Sequence, residues 1–289
     1  MELAASGYAD HLTETDLRLL CTAAGLPAST DRTAFTDPAL LEGLLADPRV
    51  FDAVFGDHDE VVLVSPFLAF VVAVHRATLD LAGLDYLPER SGLRQRIPVF
   101  DTPELRDFLG SAERRLFLAE LLASFTRVAS GRYRVQSGWG GTSRSRTRRF
   151  SELDPVRLAG MLDDAPEESR PGIYRRLGDV SLFLAGVFPD YSAMHALGPV
   201  DVSRLLRSAR VPYDARDSLA TAPALDLLEY LGARWYRAAL SAAPVRTARL
   251  DVVGDVAGRF RQARRVLNHL ADRYLISRSA PWFPQPGTS

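Results

Sequence analysis

Seven arginines and no acid lie between Arg127 and Arg149, in a chain whose formal net charge is only -1. A local charge of +7 on a near-neutral protein makes a surface that can neutralise several phosphates and release their counterions. The same interval carries Tyr133 and Trp139, whose rings can stack on bases. Its centre, Ser137-Gly138-Trp139-Gly140-Gly141-Thr142, offers backbone amides that an anion can approach closely. Arg132, Arg134, Trp139, Arg144, Arg146, Arg148 and Arg149 are therefore the candidate contacts to DNA or RNA. The plain alternative is a solvated hairpin whose glycines serve only to turn the chain.

A second group of residues suggests a ligand pocket. Tyr174-Arg175-Arg176-Leu177-Gly178-Asp179 places two arginines before an acid on an otherwise apolar helix. Arg175 and Asp179 are four residues apart and Arg176 and Asp179 three, so either arginine can pair with the acid on the helix surface. Buried, Asp179 would need such a partner. His75, at the polar end of the most apolar segment, joins Arg176 and Asp179 as a possible pocket lining. No catalytic triad or acid pair accompanies them, so an enzyme is the third-ranked reading.

Other chemistries lack their residues. The glycines at 138, 140 and 141 are not followed by the lysine of a phosphate-binding loop, and no lysine occurs anywhere in the sequence. All 35 basic residues are arginine, which coding bias explains as well as function does. The five histidines are scattered without metal-ligand spacing. Asp57-His58-Asp59-Glu60 reads as an acidic loop. No metal site or cofactor is expected. The lone Cys21 lies on an apolar helix and reads as packing; alone, it forms no intramolecular disulfide. Met1 to Ala5 has no basic and apolar leader pattern, which favours the cytoplasm. The apolar run Val61 to Val74 is shorter than the ~20 residues a membrane span requires, so it reads as a core helix and no membrane partner is expected.

The elements that would hold these residues are mostly helices. Asp37-Pro38, Ser65-Pro66, Thr102-Pro103, Asp154-Pro155, Arg170-Pro171 and Ala222-Pro223 each open an apolar period near 3.6. The pattern predicts helices near 16–24, 38–46, 50–55, 66–82, 103–109, 113–129, 155–163, 171–187, 201–209, 223–242 and 252–276. Residues 84–100 read as a loop. Strand alternation in Arg132 to Gln136, and more loosely in Thr147 to Leu153, predicts a hairpin within 132–153. The glycines at 178 and 186 inside one helix suggest a closely packed neighbour.

The fold class expected is mainly α, a multi-helical, bundle-like protein with one Arg-rich β-hairpin. A helical domain over 1–165, a C-terminal bundle over 171–278 and a loosely ordered tail at 279–289 are expected, with a single fused domain as the alternative. The order helix, turn, helix, hairpin over 102–164 resembles the later half of a winged helix, whose wing contacts phosphate. Glu113 and Glu120 would face phosphates badly if the second helix entered a groove, leaving Arg114 and Arg115 at its start as DNA contacts. Wing contact is thus the better match. The leading functional expectation is a nucleic-acid-binding, regulatory protein, and the rival is a helical scaffold for a protein partner.

Overall fold

A computed structural model describes residues 2–27, 32–56, 63–90, 95–137, 144–195, 197–276, 282–284 and 286. The fold is mainly α: fifteen α-helices and two separate two-stranded sheets lie among the described residues. The chain divides into two compact units, one of 1–89, 97–126 and 265–283, the other of 90–96, 127–264 and 284–289. The boundary expected between residues 165 and 171 falls inside the second unit.

The first unit contains α1 (Glu2–His11), α2 (Glu14–Ala24), α3 (Pro38–Leu45), α4 (Pro48–Phe55) and α5 (Pro66–Ala82). After β1 (Leu87–Arg90) and β2 (Arg96–Val99) come α6 (Thr102–Leu109) and α7 (Ala112–Ser124). The Ser65-Pro66 start of α5 forms as the sequence predicts: Ser65 Oγ accepts the Leu68 N–H at 3.1 Å. Ser65 N–H in turn donates to Oδ1 of Asp16 at 2.9 Å, so this buried acid ties α2 to the head of α5. From Phe67 to His75 every residue of α5 is buried. Among the described residues no helix is long and apolar enough to cross a membrane. Cys21 is buried, and within 279–289 the Phe283 ring stacks on Phe70 with centroids 5.4 Å apart. The β1 and β2 pair replaces the loop read at 84–100. Too short to show alternation and interrupted by Pro88 and Pro98, these strands carry little periodic signal.

Beyond its 90–96 segment the second unit contains β3 (Ser130–Ser137) and β4 (Arg144–Ser151), followed by α8 (Pro155–Met161), α9 (Arg170–Val187), α10 (Pro189–Met194) and α11 (Pro199–Ser208). Then come α12 (Tyr213–Ala220), α13 (Ala224–Ala242), α14 (Ala248–Gly258) and the start of α15 (Phe260–Leu270), which leads to a π-helical turn at Ala271–Leu275. Helices α9 and α13 pack through glycine. A Cβ on Gly178 would lie 2.3 Å from Tyr236 Cδ1, and one on Gly232 would lie 3.0 Å from Ser181 Cβ and 2.3 Å from Phe260 Cζ. The single helix read over 252–276 is instead broken at Arg259, whose φ of -121° and ψ of 32° leave the helical region. The break follows Gly258, a weak helix former, and places Phe260, 3% exposed, against Gly232.

Candidate nucleic-acid interface

The Arg-rich hairpin forms as an antiparallel ladder in which Arg132 pairs with Arg149, Tyr133 with Arg148, Arg134 with Thr147, Val135 with Arg146 and Ser137 with Arg144. Side chains alternate between faces along each strand, so Arg132, Arg134, Thr147 and Arg149 share one face. All four are exposed. The side chains of Arg132, Arg134 and Arg149 form no ion pair or hydrogen bond among the described residues. Like charges directly opposite each other on a sheet are destabilising, and Arg132 and Arg149 are such a pair. Arg127, just before the hairpin, is also exposed. Arg144 and Arg146 hold β4 backbone positions, but their side chains lie outside the described residues, as does Trp139 entirely.

The opposite face is occupied near its foot. Arg148 Nη1 lies 2.9 Å from Asp164 Oδ2 and donates to the Gly160 carbonyl at 3.2 Å. Tyr133 Oη donates to the same Asp164 oxygen at 3.3 Å. Burial and the Asp164 charge hold the Tyr133 phenol above its ordinary value, so it keeps its proton. Arg148 thus mounts the hairpin on the end of α8 and does not belong with the open arginines. Gly131 sits opposite Phe150, where an added Cβ would meet the ring at 3.0 Å.

A second clasp closes the base of the ladder. Glu152 Oε2 accepts the Ala129 N–H at 3.1 Å and an Arg176 guanidinium N–H at 3.1 Å, while Glu152 N–H donates to the Ala129 carbonyl. Arg176 therefore reaches from α9 to the hairpin foot. Sequence reasoning missed both Glu152 and Asp164 as supports. The available signal was that they are acids flanking a segment that has none, but their partners are tertiary.

The candidate pocket residues fall in both units and have separate partners within each. Asp179 is clasped by Arg175 Nε at 2.9 Å and by the Tyr236 hydroxyl at 2.8 Å, both on Oδ1. Tyr236 is fully buried, and desolvation followed by the Asp179 charge pushes its phenol well above its usual value. This arrangement pins α9 to α13; it is the intrahelical pairing expected for Arg175, extended by a tyrosine. His75, in the first unit, is 4% exposed; Nδ1 faces the Val71 carbonyl at 3.0 Å and Nε2 faces Glu42 Oε2 at 3.2 Å. Arg115 Nη2 grips both Glu42 oxygens, at 2.7 and 2.6 Å, and Nη1 donates to the Leu109 carbonyl. Burial alone would raise the Glu42 pKa, but hydrogen bonds from His75 and Arg115 outweigh it and hold the carboxyl at about 2.

The arginines at the start of α7 are likewise engaged internally. Arg114 is 8% exposed, donates to the Asp107 carbonyl at 2.7 Å and lies 5.3 Å from the Phe108 ring centre. Neither it nor Arg115 is presented for DNA, and α7 is buried over much of its circumference. Among the described residues no three His, Cys, Asp or Glu side chains gather as a metal site, and Asp57 to Glu60 lie outside those residues.

These features define a mainly α protein with a surface-mounted, arginine-faced hairpin. No family model, curated protein or solved structure matches the chain.

Proposed function

We propose that the chain binds nucleic acid through the open face of the hairpin, contacting the phosphate backbone without reading base sequence. The observation that carries this reading is the exposed Arg132 and Arg149 pair, side by side across the ladder, with Arg134 on the same face and no acid among the described residues to neutralise them. A phosphate between two guanidinium groups turns their repulsion into two charge-assisted hydrogen bonds. Arg132 and Arg134, two residues apart on one strand, are separated by about 6.8 Å, so an anion with repeated charges engages both. The internal pairing of Arg114 and Arg115 removes the groove-docking version of the winged-helix resemblance and leaves wing-like contact.

Anisotropy of a labelled oligonucleotide, titrated at salt concentrations from about 50 to 200 mM, tests the proposal. Three phosphate contacts give a slope of log affinity against log salt of about -2.7, or roughly 40-fold weakening over that range. Combined replacement of Arg132, Arg134 and Arg149 by alanine removes that slope component. Wild-type binding that is absent, or equal in the triple variant, overturns the reading.

A further inference from the structure

The second unit contains a cleft of about 580 Å³ that the hairpin reading does not use. This volume lies within the range of small-molecule sites, roughly 300–1,000 Å³. Its apolar lining includes Leu153, Leu184 and Leu228, whose side chains are 7%, 4% and 5% exposed. Along one side the Tyr191 and His195 rings stack with centroids 4.0 Å apart and planes 25° apart. Met194 and Val200, beside the lining residues His195 and Asp201 in sequence, are large apolar side chains left 56% and 71% exposed.

The polar lining sets two arginines against two acids, Asp154 and Asp201, and the guanidinium groups keep N–H donors beyond those pairs. Arg157 and Arg204 both line the cleft, each with an acid neighbour: Arg157 Nε is 2.9 Å from Asp154 Oδ2, and Arg204 Nη1 is 3.6 Å from Asp201 Oδ1. Asp154 is already engaged, because its Oδ1 accepts the Val156 and Arg157 N–H groups at the head of α8. The Arg204 pair is long and 43% exposed on both sides, so water screens it. At the head of α11, which opens into the cleft at Gly198 and Asp201, the cap residue is a glycine with no side-chain acceptor. An apolar floor, a ring wall and guanidinium N–H donors left over from the two ion pairs suit one chemistry.

We infer that this cleft binds a small amphipathic organic acid, with its apolar body over Leu184 and Leu228 and its carboxylate toward Arg157 and Arg204. The site is independent of the nucleic-acid reading. An aromatic acid and a short fatty acid share this chemistry, and separate competitors distinguish them.

The test uses the full chain and the anionic probe 8-anilinonaphthalene-1-sulfonate, followed by fluorescence, with the neutral N-phenyl-1-naphthylamine in parallel. Saturable binding of one equivalent is expected. Decanoate, or phenylbutyrate if the pocket prefers a ring, should displace the anionic probe at least about tenfold more effectively than decanol. Ala224→Trp fills the cleft from the half-buried first residue of α13 and should weaken the probe at least about tenfold. Val156→Trp fills it independently should the first variant fail to fold. Arg157→Ala with Arg204→Ala should weaken the anionic probe about tenfold and leave the neutral probe unchanged. Equal binding to wild type and a folded filling variant, or equal displacement by decanoate and decanol, overturns the proposal.

Discussion

The arginines of the hairpin and those around Glu42 differ in what faces them. Arg115 spends its fork on one carboxylate and one carbonyl, with His75 on one oxygen of the same acid. Arg132, Arg134 and Arg149 face solvent, with no counter-charge among the described residues. The first arrangement holds a fold together, because removing the acid would strand two inward-facing cationic or polar groups. Among the described residues the second adds nothing to the fold, since the side chains there meet only repulsion. The difference teaches that a count of arginines carries no functional meaning until each one's partner is known.

The largest expected effect comes from the first region. Glu42→Ala should cost about 2–3 kcal/mol, below the ~3–5 kcal/mol of a fully buried broken pair, because Glu42 retains 28% of its side-chain exposure. Urea unfolding measures it. The pH dependence carries the same signature. A carboxyl whose folded value is about 2, against 4.5 normally, contributes stability fully above pH 4.5 and loses it as pH falls through about 2. Urea midpoints at pH 7, 4, 3 and 2.5 should converge between wild type and Glu42→Ala; parallel curves would show that Glu42 is not the anchor.

The triple alanine variant of Arg132, Arg134 and Arg149 should behave oppositely, changing stability by no more than about 0.5 kcal/mol. A larger loss in the same unfolding assay would mean that these side chains support the fold and would erase the contrast. Asp164→Asn sharpens it from the other side. Losing its acid turns Arg148 from a support into an unneutralised charge, so the salt slope of oligonucleotide binding should steepen by up to about 0.9. Arg148→Ala, which removes a partly exposed pair, should cost less than about 1 kcal/mol. Its salt slope should match wild type, unlike that of Arg149→Ala.

Local grammar made much of the fold legible. Asp37, Asp47, Ser65 and Asp154 each cap a helix with their own side chain just before a proline, and three of these starts were read directly from that pairing. The close neighbour implied by Gly178 is Tyr236. Helices α1, α10 and α12 escaped, having little apolar periodicity to announce them; α12 has no buried residue at all. The break at Arg259 escaped because Val256, Phe260 and Ala263 keep a helical spacing across it. Within the candidate site, the charge and the hairpin were legible. Arg148 and Arg149 are adjacent and chemically identical, so nothing in their sequence tells the supporting one from the open one. Only the pleat, which sends neighbours to opposite faces, and the end of α8, which brings Asp164 to one of them, make the distinction.

The open face is charged by guanidinium alone, in a sequence without a single lysine. Its charge is therefore permanent. An arginine keeps its proton throughout the range in which a protein stays folded, and there is no ε-amine for an acyl group to neutralise. Nothing covalent on a lysine and no shift in acidity can switch this surface off; a bound anion is released only by competition, from salt or from another polyanion.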